Sequence, residues 1–543
     1  MNTNLLNDNE AKFMNTFQQR ILNGALEIIN NRELSSLKFL SKLDIFKLII
    51  TNCRNIESTL YSYTIQVLNL SNCNIVSIDN ILLENLKVLV LSKNRISSIN
   101  NFTRFKKLIE LDLSHNKVVD ILFLRQSKIE ILKLQFNQIK ETSIFSSLIN
   151  LKELDISYNY DADIKPIQLL SQMTQLRVSI CNFKDIDVLN TLMNLEQLDI
   201  SFCKGINYQQ LENSKKLIQL KAHQIQNQSY NFLSLLENLK ELDLSENIGI
   251  DLSRIKHFDK LTKLILQNND LKNISQLCKH INLEYLDLSN NLGIDITSIC
   301  NMTKLKVLNL SDCDILSLIA LKDLKCLEEL DISSNPGIDT SALEFLTSLI
   351  KLESQSNDHQ NIQEFKYLFN LKELDLSNNE SIDITPLQYL IQLTNLRLQY
   401  CSLYDIYALS PLCNLKYLDV SDNYIIHIEP LKKMTHLSEL WLDGNKIHDF
   451  TPIYQLQFFE QFVITDQEES NRQESRLATQ MHQMYSSNLQ HREIRIKHQF
   501  IQLRSKAILQ EINKIICKQT ESHCFFANNI ASIFESLSSN KAQ

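Results

Sequence analysis

Apolar residues recur along this chain as L-x-x-L-x-L, and each copy is followed three residues later by Asn or Cys, as in Leu239, Leu242 and Leu244 ahead of Asn247. Twenty such ladder positions run from Asn31 to Asn445, with Ile225 the one aliphatic exception. Sixteen of the nineteen steps are 22 residues and the other three are 20 or 21. A fixed period of this length marks a solenoid, in which stacked copies bury an apolar face that one copy alone leaves wet. Leu242-x-Leu244 alternates as a short strand with both leucines on one side. The Asn turns the chain, and its amide can satisfy backbone groups that the turn would bury unpaired. Ile274 and Leu277, after Asn269, point back inward from the opposite wall. Pro166, Pro386, Pro430 and Pro452 fall seven residues past ladder positions, where proline opens a short helix or 3₁₀ turn without removing a needed donor. The pattern predicts an α/β solenoid of about 20 repeats, with a parallel concave sheet and short helical segments on the convex side.

A longer period lies beneath the first. Gly249, Gly293 and Gly337 stand two residues past alternate ladder positions, with Gly205 similarly placed, so repeats alternate in type every 44 residues. Glycine there predicts an unusual turn geometry. Asp155, Asp199, Asp243, Asp287, Asp331, Asp375 and Asp419 share one strand position at the same 44-residue spacing. Arg177, Lys221, Ile265, Asn309, Glu353, Arg397 and Trp441 occupy it in the intervening repeats. The column reads either as an acidic stripe for a basic partner or as strand residues pairing with Ser157, Ser201, Ser245 and their equivalents.

The ends differ. Residues 1–25 predict an N-terminal helical cap built on Phe13, Phe17 and Ile21, and residues 26–467 the solenoid, closed by a worn repeat at Phe459, Phe462, Ile464 and Gln467. Residues 468–543 predict a basic helical C-terminal tail. From 471 onward it carries ten Lys/Arg against five Asp/Glu, and Ile494, Ile501, Ile508 and Ile515 recur every seventh residue. His498 and Ser505 interrupt the second seam position, so self-association through a coiled coil and docking of the tail as a partner helix both stay open.

The whole chain carries a net charge of −8, which argues against a general nucleic-acid binder. No run approaches 18 apolar residues, and Met1–Asn9 shows no signal-peptide pattern, so neither a membrane span nor secretion is expected. Six of the twelve cysteines sit on the ladder, interchanging with Asn, and so read as small buried residues in a reduced, cytoplasmic protein. No phosphate-binding glycine loop or metal-ligand spacing appears, so no cofactor, metal or catalytic residue is expected.

These motifs, and phrases such as Asp383-Ile-Thr-Pro-Leu387 followed by Leu390 and Leu393, resemble leucine-rich repeat proteins of the 21–22-residue class. Bacterial internalins and the leucine-rich regulators of protein phosphatase 1 belong to that class. The resemblance implies a horseshoe-shaped, non-catalytic scaffold that binds a protein on its concave face, with a surface adhesin or a phosphatase-type regulatory subunit as alternatives. The candidate contacts are an apolar stripe just before the ladder (Phe136, Tyr158, Phe202, with Ile180), the column residues Asp243 and Asp287, and a cluster of Arg397, Tyr400, Tyr417 and Trp441, the one tryptophan. Clustered Trp, Tyr and Arg are what interface hot spots favour.

Overall fold

The computed structural model describes residues 21–463, apart from 32–33, 35, 54–55, 57–58, 182–186, 204–207, 226–229, 256 and 457–460. Residues 1–20 of the expected cap, the tail at 468–543, and Gly205, Phe459, Ile464 and Gln467 lie outside those residues. Ala25, assigned to the cap from sequence, instead opens the first strand. The chain divides into two compact units, one ending at Asn357 and one beginning at Asp358.

In the first unit, sixteen parallel strands run from Ala25–Ile29 to Lys351–Glu353. Each pairs with the next at one-repeat register, for example Leu154 with Leu176 and Leu198. The second unit carries five, from Glu373–Asp375 to Gln461–Val463. Most strands are three residues long and read x-L-x, as in Glu241-Leu242-Asp243, so the second leucine of each L-x-L, here Leu244, already follows the strand. Their central leucines are buried throughout. The opposite wall consists of 3₁₀ turns, except in early repeats where Leu60–Tyr61 and Ile81–Leu82 form a short parallel pair, and no α-helix occurs among the described residues. With about 3 residues per turn, 3₁₀ closes a turn in fewer residues than an α-helix, which suits so short a connection. Pro166, Pro386, Pro430 and Pro452 each open such a turn, as expected.

The Asn ladder explains the period. Asn291 Nδ2 donates to the carbonyls of Leu266, Leu288 and Ser289 at 2.9, 2.7 and 3.2 Å, while Oδ1 accepts from the backbone of Asn269 and Leu271 at 3.0 Å each. One side chain therefore stitches its own turn to the preceding repeat. Cysteine does half of this. Cys313 Sγ donates to Leu288 O at 3.1 Å but offers no comparable acceptor. Burial pushes the Cys181 and Cys203 thiols up to about 12, so ladder cysteines stay protonated and inert.

The 44-residue period is a turn alternation. In one repeat type the left-handed residue stands two past the ladder (Gly249, Gly293, Gly337 and Ser381), and in the other one past it (Asp270, Asp314, Asp358 and Ser402). Gly293 N donates to Cys313 O at 2.7 Å and Gly337 N to Asn357 O at 2.9 Å. A Cβ at Gly249, Gly293 or Gly337 would meet nothing within 4 Å, so backbone conformation alone selects glycine. Gly293→Ala should therefore cost about 1 kcal/mol in chemical denaturation of the full chain. An unchanged midpoint would show that the turn tolerates an L side chain freely.

Candidate functional site

The residue immediately before the ladder is left-handed in all twenty repeats, from Asn30 (φ 56°) to Gly444 (φ 62°). Most repeats place Asn, Asp, Ser, Gly or a flexible polar residue there, the types that bear this conformation best or can extend into water. Five successive repeats depart from that choice. His115, Phe136, Tyr158, Ile180 and Phe202 hold φ between 53° and 61°. Each costs on the order of 1–2 kcal/mol of backbone strain, and β-branched Ile180 is the most crowded. Part of that is returned by stacking: Phe136 lies 3.8 Å from Tyr158 and 4.3 Å from His115 between ring centroids. Phe136 is exposed, while Tyr158, Ile180 and Phe202 are half-buried, so the expected stripe exists at the margin of the sheet. His115, which the apolar pattern passed over, extends it.

Beside the stripe, the in-register strand column reads Asp112, Lys133, Asp155, Arg177, Asp199, Lys221, Asp243. Its charge alternates at every 4.8 Å step. Among these, Asp155, Asp199 and Asp243 accept the backbone N–H of the serine two residues on at 3.1, 3.0 and 3.2 Å, a side-chain turn that fixes the chain after each strand. Burial raises the Asp155 carboxyl above its ordinary range, with the Ser157 hydrogen bonds and Arg177 opposing. Asp243 is also held by His223, whose Nε2 lies 2.6 Å from Oδ2. Desolvation is the largest single influence on both groups. The hydrogen bond and charge attraction between them, with the Ser245 hydrogen bonds on the Asp243 side and Asp199 on the His223 side, together outweigh it, leaving Asp243 lowered and His223 raised. Asp287 departs from the sequence expectation. It is 8% exposed with its Oδ1 taken by Ser289, so it belongs to the strand rather than to a contact surface. Asp419, 4% exposed and bonded to Ser421, behaves alike.

The centre of this face holds a shallow dimple of about 30 Å³ lined by Gln175, Arg177, Gln197, Asp199, Gln219 and Lys221. That is the volume of about one water molecule and far below a metabolite pocket.

In the second unit, register sets Asp375, Arg397, Asp419 and Trp441 in one row. The Arg397 guanidinium lies 4.7 Å from the Tyr417 ring centroid, and Tyr417 Oη is 3.4 Å from Asp419. Half-buried Trp441 has an indole N–H with no hydrogen-bond partner among the described residues. Tyr400, exposed at the rim, is again a left-handed residue (φ 53°), and a hydrogen bond to Asp422 raises its hydroxyl above the ordinary range. The sequence reading missed Tyr404 and Tyr424. Both are exposed and their rings stack at 5.5 Å, with Lys446 Nζ 5.0 Å from the Tyr424 ring. They follow ladder positions Cys401 and Asn423 by three residues and one, in loops that a strand-centred pattern does not inspect.

Among the described residues no cluster of His, Cys, Asp or Glu could hold a metal, and no helix is long and apolar enough to cross a membrane. A family model described as Leucine Rich repeats (2 copies) matches residues 84–126 and 413–455, and one described as Leucine Rich repeat matches 301–317. No curated protein matches the sequence. Among solved structures, TLR13 in its ssRNA13 complex is 21% identical over 76% of this chain and 73% of that one, with a TM-score of 0.53. An internalin from Listeria monocytogenes is 23% identical over 60% of this chain and 83% of its own, at 0.41. The ectodomain of the receptor kinase GASSHO1/SCHENGEN3 from Arabidopsis thaliana is 18% identical over 81% and 70%, at 0.47. Identities this low speak to fold alone.

Proposed function

The chain is a leucine-rich repeat protein, and from that premise we propose that it is a non-catalytic scaffold that binds a protein partner through the sheet face and rim of its second unit. The observation that carries this reading is the gathering of Arg397, Tyr417 and the sole tryptophan on adjacent strands, with Tyr400, Tyr404 and Tyr424 exposed in the segments that follow two of those strands. Large aromatic side chains with an arginine, half-buried before any partner arrives, lose little freedom on binding. The strands that carry them are fixed by the ladder, so the patch is preorganised. A protein partner rather than nucleic acid suits the acidic character of the repeats. A reducing compartment suits Cys278, Cys300, Cys326 and Cys413, which are exposed and unpaired.

Affinity capture from native lysate with the full chain as bait, read by mass spectrometry, tests the proposal. Trp441→Ala and Arg397→Ala should each reduce recovery of the main partner at least tenfold, the size expected for hot spots. Equal recovery with both variants would place the contact elsewhere.

A further inference from the structure

The margin of the first unit carries a pattern that partner binding by the second does not explain. The column reads Asp112, Lys133, Asp155, Arg177, Asp199, Lys221, so charge alternates step by step. Beside it the left-handed positions read His115, Phe136, Tyr158, Ile180, Phe202, Gln224. About a point midway between the repeats of Tyr158 and Ile180, reversal carries the charge row onto its opposite and the apolar row onto its like. A half-turn about that point sets Asp112 opposite Lys221, Lys133 opposite Asp199 and Asp155 opposite Arg177. The same rotation sets Phe136 against Phe202 and Tyr158 against Ile180, with polar His115 and Gln224 closing the ends.

We propose that this margin is a self-complementary interface through which two copies of the chain associate antiparallel, about a two-fold axis between the repeats of Tyr158 and Ile180. An isologous contact requires that one patch complement itself after a half-turn, and alternating charge does so only at an odd offset between repeats, which is where the apolar stripe is centred. The stripe also supplies the reason for the strain at Phe136, Tyr158, Ile180 and Phe202. These residues depart from the turn's preferred side chains in successive repeats without adding to the core, and local rules broken in this way mark function. A basic or an acidic partner would meet like charge at every second step of the column, whereas a second copy meets opposite charge at each of these six positions, with Asp243, the next in the column, already paired with His223. The six repeats extend about 24 Å at 4.8 Å per step, and a width of about 15 Å gives roughly 700 Å² counted over both chains. That is below the roughly 1,200 Å² of stable complexes, so the dimer is transient.

Sedimentation velocity of the full chain from about 1 to 300 µM tests this, the range set by the small interface. The expected result is a concentration-dependent monomer–dimer equilibrium that weakens as salt rises. Phe136→Asn with Phe202→Asn should leave a monomer at every concentration. Asn already occupies this turn at Asn268 and Asn290, so the double variant should denature at the same or higher denaturant concentration. Lys133→Glu and Asp199→Lys should each abolish the homodimer, while an equimolar mixture of the two should dimerise again, because each chain then presents the charge the other lacks. A native chain that stays monomeric throughout, or a dimer indifferent to these substitutions, overturns the proposal. So does failure of the mixture to restore association when both single variants are folded.

Discussion

Replacing Asn291 by Ala should destabilise the full chain by about 3–5 kcal/mol, the largest single-residue effect expected in the solenoid. Asn291 is fully buried, and its amide makes five hydrogen bonds to backbone groups of its own turn and of the preceding repeat. Alanine leaves three carbonyls and two N–H groups without that partner in a site closed to solvent, where each unsatisfied group costs about 1–3 kcal/mol. The costs do not sum fully, since a water entering the small void recovers some of them. Asn291→Cys should fall near the midpoint of the range, because Cys313 shows which half of the bonding a thiol retains. Chemical denaturation of the three proteins checks the order Asn, Cys, Ala, and hydrogen exchange should place the lost protection in the repeats flanking residue 291. If alanine is tolerated as well as cysteine, the amide is not what holds adjacent repeats in register.

Acid should destabilise the second unit through His359. This histidine stands two residues past Asn357, where Leu271, Ile315 and Leu403 stand in equivalent repeats, and it is 5% exposed. Burial depresses it to about 4, with Asp358 opposing. The folded value lies below the unfolded value of about 6.5, so the folded state resists the proton that the unfolded chain accepts. Stability is therefore complete above about pH 6.5 and falls by about 1.4 kcal/mol per unit as pH drops toward 4, a loss of about 3 kcal/mol from this group. His280 in the first unit, also depressed by burial, adds loss of the same sign. The His223–Asp243 pair has the opposite dependence on its histidine side. With His223 raised, its contribution is full below about pH 6.5 and is lost as pH rises through the folded value. Denaturation midpoints of the native chain and His359→Leu, compared between pH 4 and 8, isolate the first effect. The variant should gain on the native chain steadily below pH 6.5, and parallel curves would show that His359 takes up its proton without resistance.

The repeat, its strand, its inward leucines and its internal amides were legible because each follows from spacing alone. A side chain at a fixed place in a fixed period has its direction set by its neighbours' copies. Spacing alone thus assigns Asn291, Leu242 and the four turn-opening prolines. Candidate contacts were legible only as types. Phe136, Tyr158, Phe202, Arg397, Tyr400, Tyr417 and Trp441 do reach half-exposed or exposed positions. Asp287 does not, since whether an outward strand residue meets water depends on the packing of the strands beside it. Tyr404 and Tyr424 come together only through the stacking of two loops, and no periodicity of the strand records that.

From the sequence alone come the solenoid, its register and the buried status of the ladder, because those depend on local spacing repeated twenty times. The tertiary structure decided the backbone conformation just before each ladder residue. A left-handed turn cannot be read from a column that tolerates Asn, Lys, Glu and Phe alike. That conformation is what turns an apolar stripe into a strained one. In-register stacking likewise makes a neutral list of Asp, Lys and Arg into an alternating row that a second copy can match.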